Sequence, residues 1–122
     1  VRMDVAAHDR VLAVTSHLPH LLAFALVASL ARQPASEEIF RCAAGGFRDF
    51  TRIASSDVVM WRDIALANRD ALLGALDGFT HTLDAVRAAV ASGDGEELEQ
   101  VFGRARAARE RYLRWLERGE SR

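Results

Sequence analysis

The chain has 122 residues, of which half are apolar, two are proline, sixteen are basic and seventeen are acidic. This length supports one domain with a single core and is too short for a nucleotide-binding domain together with a substrate domain. The balanced charge argues against nucleic acid or an anionic membrane as a partner. Because Ala, Leu and Val dominate the aliphatic residues, the composition favours an all-α globular protein.

Three features bear on the cellular compartment. The single Cys42 cannot form an intrachain disulfide, so we expect a reducing, cytoplasmic environment and a Cys42 that packs as a small buried hydrophobic residue. The chain starts at Val1 without an initiator methionine or a recognisable signal peptide, which suggests a fragment of a longer protein. The most apolar run, residues 21–31, is shorter than the ~20 residues of a bilayer span. We therefore expect a buried core helix and no membrane association.

The first predicted helix begins at an Asp4 N-cap and continues to about Arg32. Pro19 lies inside this helix. Because proline lacks a backbone N–H and its ring clashes with the preceding turn, we expect a kink near Thr15 and Ser16 that frees backbone carbonyls.

Two histidines flank Pro19, and their spacing places them on one helix face. His17 and His20 could be core histidines bonded to the kinked backbone, hydrogen-bond donors to a ligand, or metal ligands. A metal site would need a third ligand, the sequence does not place His8 or His81 near this pair, and no cysteine pairs with it. We expect no metal and favour a wall of a ligand site.

The second predicted helix starts at a Ser36 N-cap, carries two acids in its first turn and runs to about Ala44. The pair Gly45-Gly46 is expected to end it. Residues 47–54 then form one or two helical turns.

These turns carry arginines that suggest an anionic ligand. The guanidinium fork of arginine matches a carboxylate in two parallel hydrogen bonds. Asp49 can pair with Arg52, either to close an exposed turn, worth ~0–1 kcal/mol, or to orient the guanidinium toward a ligand. Trp61 is by default a core residue, but it lies one turn after a predicted Ser56-Asp57 cap, where anions are stabilised.

The C-terminal half predicts a long helical hairpin. A helix of 24 residues, 68–91, and a final helix capped by Asp94 with Glu97 each carry an apolar seam. The seam positions are Leu72, Leu76, Phe79, Leu83, Val86 and Val90, followed by Leu98, Val101, Ala105, Ala108, Tyr112 and Trp115. One short chain cannot cover both seams, so a homodimer is expected.

Three motifs in this order resemble a known family: Ser16-His17-Leu18-Pro19-His20, the stretch from Gly45 to Ala54, and Met60-Trp61-Arg62-Asp63-Ile64. The chain resembles the C-terminal helical dimerisation domain of prephenate dehydrogenase, including arogenate and cyclohexadienyl relatives. The resemblance implies an all-α bundle with a long kinked central helix, arranged as an intertwined homodimer. No Gly-x-Gly-x-x-Gly turn occurs, so the nicotinamide-binding domain of the family is not in this chain.

The resemblance implies oxidative decarboxylation of prephenate to 4-hydroxyphenylpyruvate in tyrosine biosynthesis, with NAD or NADP as cofactor. Catalytic and cofactor-binding residues are expected outside this chain, which alone would be inactive. The resemblance assigns substrate binding to His20, Arg52, Trp61 and the Gly45 backbone, the last reaching in from the partner subunit. It assigns supporting roles to His17 and Asp49.

A hypothesis from another class is a stand-alone helical interaction module without enzymatic activity, in which the arginine segment is structural and the apolar seams bind partner helices. A third is a metal-binding bundle. Sedimentation with and without ligand, and metal analysis, would separate them from the enzyme.

Overall fold

The computed structural model describes residues 4–119, which form helices joined by short turns and contain no β-strand. The α-helices are α1 Val5–Leu12, α2 Leu18–Ala31, α3 Ser36–Arg41, α4 Gly45–Thr51, α5 Val58–Ala67, α6 Arg69–Ser92 and α7 Gly95–Glu117. The all-α prediction is confirmed. Backbone contacts group the chain into two compact units, 4–76 and 77–119. A single domain stays a prediction.

The junction between α1 and α2 is a π-helical turn, Ala13–His17. The Leu18 N–H donates to the Ala13 carbonyl, one residue beyond the α-helical partner. Pro19 has no N–H to offer the carbonyl four residues earlier and its ring would collide with that carbonyl, so the wider turn relieves both problems. The expected disturbance of the helix therefore takes the form of a π-helical turn.

Aspartates start three of the helices, because a side-chain oxygen satisfies a backbone N–H that has no partner in the first turn. Asp4 accepts from the Ala7 N–H at 2.8 Å, and Asp57 accepts from the Met60 N–H at 2.9 Å. Asp94 accepts from the Glu97 N–H at 3.0 Å. All three predicted caps are confirmed.

The boundaries of α3 and α4 differ from the sequence prediction. Ser36 is the first residue of α3 rather than its cap, because its N–H already donates to the Gln33 carbonyl in the preceding turn. Cys42, which follows α3, is exposed, so the expectation of a buried thiol was wrong. Gly45 and Gly46 open α4 instead of ending α3. Glycine costs little at the start of a helix, where the N–H groups lack helical partners in any case.

Helix α2 is the element against which α3, α4 and the 3₁₀ turn Arg52–Ser55 pack. Only Ala23 of α2 is fully buried. In the single chain, therefore, the prediction of a buried core helix was wrong. The continuous helical run Val5–Ala31 is long and apolar enough to span a membrane, and 11% of its most apolar window is buried. The small elements around α2 are too few to cover an apolar surface on all its sides.

The second unit contains the end of α6 and all of α7. A Schellman motif separates the two helices: Gly93 has φ 71°, its N–H donates to Val90, and the Asp94 N–H donates to Ala89 at 2.8 Å. Helix α7 contains no buried residue, and Phe102 is 57% exposed. The apolar seams of the sequence are present as helix faces, on which Leu72 is buried and the other seam residues are half-buried or exposed.

Candidate functional site

Three aromatic side chains meet between the first helical run and α5. The His20 and Trp61 rings stack with centroids 3.8 Å apart and planes inclined by 15°. His17 approaches Trp61 edge-on, with centroids 6.0 Å apart and planes at 78°. Trp61 is 8% exposed and is one of the few buried residues, whereas both histidines are half-buried. We call these three residues the histidine–tryptophan cluster.

Local sequence rules put these side chains in place. His17 is the last residue of the π-helical turn, and His20 lies in the first turn of α2 beside Pro19. Trp61 sits one turn into α5, whose start is fixed by the Asp57 cap. The end of the π-helical turn and the first turns of α2 and α5 therefore position the three rings.

The backbone of the π-helical turn also fixes the proton on His20. Its Nδ1 lies 2.8 Å from the Ser16 carbonyl oxygen. A carbonyl can only accept, so Nδ1 carries the proton and donates it. In the neutral ring Nε2 is then an acceptor, and no residue of 4–119 bonds to it.

Asn68 is a member of the site that the sequence did not single out as functional. Its Nδ2 donates to the Asp9 carbonyl at 2.9 Å and lies 3.3 Å from His17 Nδ1. Its position on the helix face of Trp61, at the break between α5 and α6, was the available signal. Its partners, however, are 59 and 51 residues away in sequence, beyond the reach of helical spacing.

Two open recesses adjoin the cluster. One, of about 250 Å³, is lined by Asp9, His17, Ile64, Ala67 and Asn68. The other, of about 260 Å³ and mostly apolar, is lined by Leu21, Phe24, Val58, Trp61, Arg62 and Ala65. Both recesses border the cluster, and each is close to the lower end of the volumes typical of small-molecule sites.

The arginine segment lies on α4 and the following 3₁₀ turn, both of which pack against α2. The Arg52 N–H donates to the Asp49 carbonyl, but within residues 4–119 no ion pair joins their side chains. Arg52 is exposed, and its guanidinium bonds to no described residue. Asp49 is exposed as well. The fold thus brings His17, His20 and Trp61 into contact. The Arg52 guanidinium has no bonding partner among the described residues.

Gly45 begins α4 and is exposed. A Cβ built on it would meet no atom of the described chain within 4 Å. The described residues of this single chain therefore leave room for a side chain at that position. In the described part of the chain no three His, Cys, Asp or Glu side chains form a group that could hold a metal ion.

An all-α chain whose long helices keep open apolar faces belongs to the class of helical association domains. The family model described as "Prephenate dehydrogenase, dimerization domain" matches residues 4–104. The chain belongs to this family.

Curated relatives agree. A cyclohexadienyl dehydrogenase of Zymomonas mobilis is 43% identical over 109 residues, which cover 88% of this chain and 37% of that protein. A prephenate dehydrogenase of Bacillus subtilis is 42% identical, over 90% of this chain and 30% of that protein. The chain therefore spans about a third of the length of the curated relatives it matches.

Solved structures share the fold. The prephenate dehydrogenase of Aquifex aeolicus in complex with hydroxyphenyl propionate and NAD+ has a TM-score of 0.83 and 40% identity, over 90% of this chain and 39% of that one. The Synechocystis arogenate dehydrogenase has a TM-score of 0.85 and 26% identity, over 90% of this chain and 41% of that one.

Proposed function

We propose that this chain is the dimerisation and substrate-binding part of a prephenate or arogenate dehydrogenase, a cytoplasmic enzyme of tyrosine biosynthesis. The whole enzyme would oxidatively decarboxylate prephenate to 4-hydroxyphenylpyruvate with NAD or NADP as hydride acceptor. The match of residues 4–104 to the family supports this proposal most strongly. The stacking of His20 on Trp61 adds local support, because the resemblance assigns both residues to substrate binding.

The chemistry of the cluster suits an aromatic or cyclohexadienyl acid. The hydroxyphenyl propionate bound by the Aquifex relative carries one ring and one carboxylate. Trp61 lines an apolar recess, and His20 offers a ring nitrogen that has no partner among the described residues. The uncommitted Arg52 guanidinium can bind a carboxylate in two parallel hydrogen bonds.

This chain's own residues bind and orient the substrate in this scheme. The sequence has no Gly-x-Gly-x-x-Gly turn, and the described residues contain no strand to precede one, so they do not fit a dinucleotide. NAD or NADP would be bound by residues outside this chain. The group that receives the substrate's proton would also lie outside it.

A second copy of the chain completes the proposed site. The open faces of α2 and α7 are the apolar surface that an obligate dimer buries. Gly45 fits the same arrangement, since no atom of residues 4–119 comes within 4 Å of a Cβ built on it. A close approach of its backbone to the partner's ligand would explain the glycine.

The test of the proposed function is turnover by the full-length protein. We expect reduction of NAD or NADP that depends on prephenate or arogenate, together with a dimer in sedimentation equilibrium. A protein that turns over neither compound, stays monomeric whatever ligand is added and binds another protein through its apolar faces would instead be the interaction module.

A further inference from the structure

Asn68 links the first helix to the junction of α5 and α6. It has φ −114° and ψ 40° at the end of α5, and its half-buried amide Nδ2 lies near both the Asp9 carbonyl and His17 Nδ1. We infer that Asn68 is a positioning residue that holds His17 in the neutral form whose proton is on Nε2. As a result His17 and His20 have opposite tautomers.

The assignment follows from counting donors and acceptors. The carbonyl oxygen of Asp9 can only accept, so the amide atom 2.9 Å from it must be the NH2 group of Asn68. That same nitrogen lies 3.3 Å from His17 Nδ1. A proton on Nδ1 would set two donors against each other, so Nδ1 must be bare and accept the second amide hydrogen. The single proton of the neutral His17 ring then sits on Nε2.

His20 is held the other way round. Its Nδ1 donates to the Ser16 carbonyl, so its Nε2 is the bare nitrogen while the ring is neutral. Within residues 4–119 neither Nε2 atom has a hydrogen-bond partner. The cluster thus offers an N–H donor at His17 and a lone pair at His20.

This arrangement specifies ligand chemistry, and that part rests on the proposed function. A carboxylate or carbonyl oxygen suits the donor of His17, and a hydroxyl group suits the acceptor of His20. A hydroxy acid carries both kinds of group. Two histidines in the same tautomer would discriminate less between these groups.

Asn68 also influences His20 indirectly. It orients the His17 ring, His17 meets the edge of Trp61, and Trp61 stacks on His20. We therefore expect substitution of Asn68 to weaken substrate binding by about tenfold, the effect of one hydrogen bond to a neutral group.

The experiment is nitrogen NMR of the native protein labelled with 15N-histidine, at a pH where the rings are neutral. The two ring nitrogens have different shifts when protonated and when bare, so the spectrum reports each tautomer directly. Substitution of His17 and of His20 by glutamine assigns their signals. The exposed His8 and His81 serve as internal references for unconstrained rings.

We expect His17 to carry its proton only on Nε2 and His20 only on Nδ1, unlike the mixture shown by the reference rings. In Asn68→Asp, a carboxylate faces His17, so its proton should move to Nδ1 or the ring should become doubly protonated. Thr15→Val removes a side-chain bond to the Val11 carbonyl on the same helical run and should leave both tautomers unchanged.

A His17 proton on Nδ1 in the unmodified protein, or the same tautomer mixture as in the reference rings, would overturn the inference even if no Asn68 variant folds. An unchanged His17 tautomer in a folded Asn68→Asp protein would also overturn it. Neither result depends on prephenate turnover. If the unmodified full-length protein shows the expected tautomers but turns over neither prephenate nor arogenate, only the proposed function is contradicted.

Discussion

The His20 imidazole lies almost flat on the Trp61 indole, with ring centroids 3.8 Å apart. The two residues are on separate helices, and each is fixed at a helix start. His20 is tied to the Ser16 carbonyl that the π-helical turn presents, and Trp61 follows the Asp57 cap. The stack is therefore a packing contact and also one wall of the proposed ligand site.

Removing the indole should destabilise the protein. Trp61→Ala leaves a cavity beside His20 and should lower the free energy of unfolding by about 3 kcal/mol. Trp61→Phe retains a ring for stacking and should cost less than half as much. Urea unfolding followed by circular dichroism measures both. Equal losses in the two variants would show that the ring contact contributes nothing of its own.

Loss of the α7 N-cap should lower the stability of the protein without changing its affinity for substrate. Asp94→Ala removes the acceptor of the Glu97 N–H and should cost about 1 kcal/mol of stability. Asp94→Asn keeps an acceptor and should be nearly neutral. Thermal unfolding tests the pair, and a neutral Asp94→Ala would contradict the assignment of the cap. Substrate affinity should not change in either variant.

The open face of α7 should control association. Trp115 is 45% exposed in the single chain, and Trp115→Glu should raise the dimer dissociation constant by about thirtyfold or more, as expected for a central aromatic residue of an interface. Gln100→Glu introduces the same charge outside the apolar seam and should leave association unchanged. Sedimentation equilibrium of both variants decides, and equal effects would place the interface elsewhere.

The features that local chemistry controls could be predicted from the sequence. Asp4, Asp57 and Asp94 cap helices as expected, because a cap depends on residues three positions apart. The 24-residue length of α6 also followed from its apolar spacing. The prediction that Gly45-Gly46 ends a helix was wrong, because low helix propensity does not distinguish a glycine that ends one helix from a glycine that begins the next.

Other features depend on contacts that spacing does not encode. The disturbance at Pro19 could be foreseen, but its form as a π-helical turn depends on the backbone that surrounds it. The role of Asn68 depends on Asp9 and His17, which only the tertiary fold brings to it. The exposure of α2 was missed because an apolar helix is equally compatible with a core and with an interface.

All the substrate-binding roles stay predictions, on the arginine segment and in the histidine–tryptophan cluster alike. Arg52 is exposed in one chain, with no side-chain partner among the described residues, whereas His20 and Trp61 are in contact. In the proposed function the Arg52 guanidinium binds a substrate carboxylate in the dimer. Asp49 would orient it there, and Gly45 would approach from the partner subunit.

The most direct test compares two dissociation constants of the full-length protein, for prephenate and for the nicotinamide cofactor, in Arg52→Gln. Loss of a charge-assisted carboxylate contact should weaken prephenate binding by about 2–4 kcal/mol and leave cofactor binding unchanged. Arg48→Gln, which removes the same charge from the preceding turn, should alter neither constant. Unchanged prephenate binding in Arg52→Gln, or an equal loss for both ligands, would contradict the account.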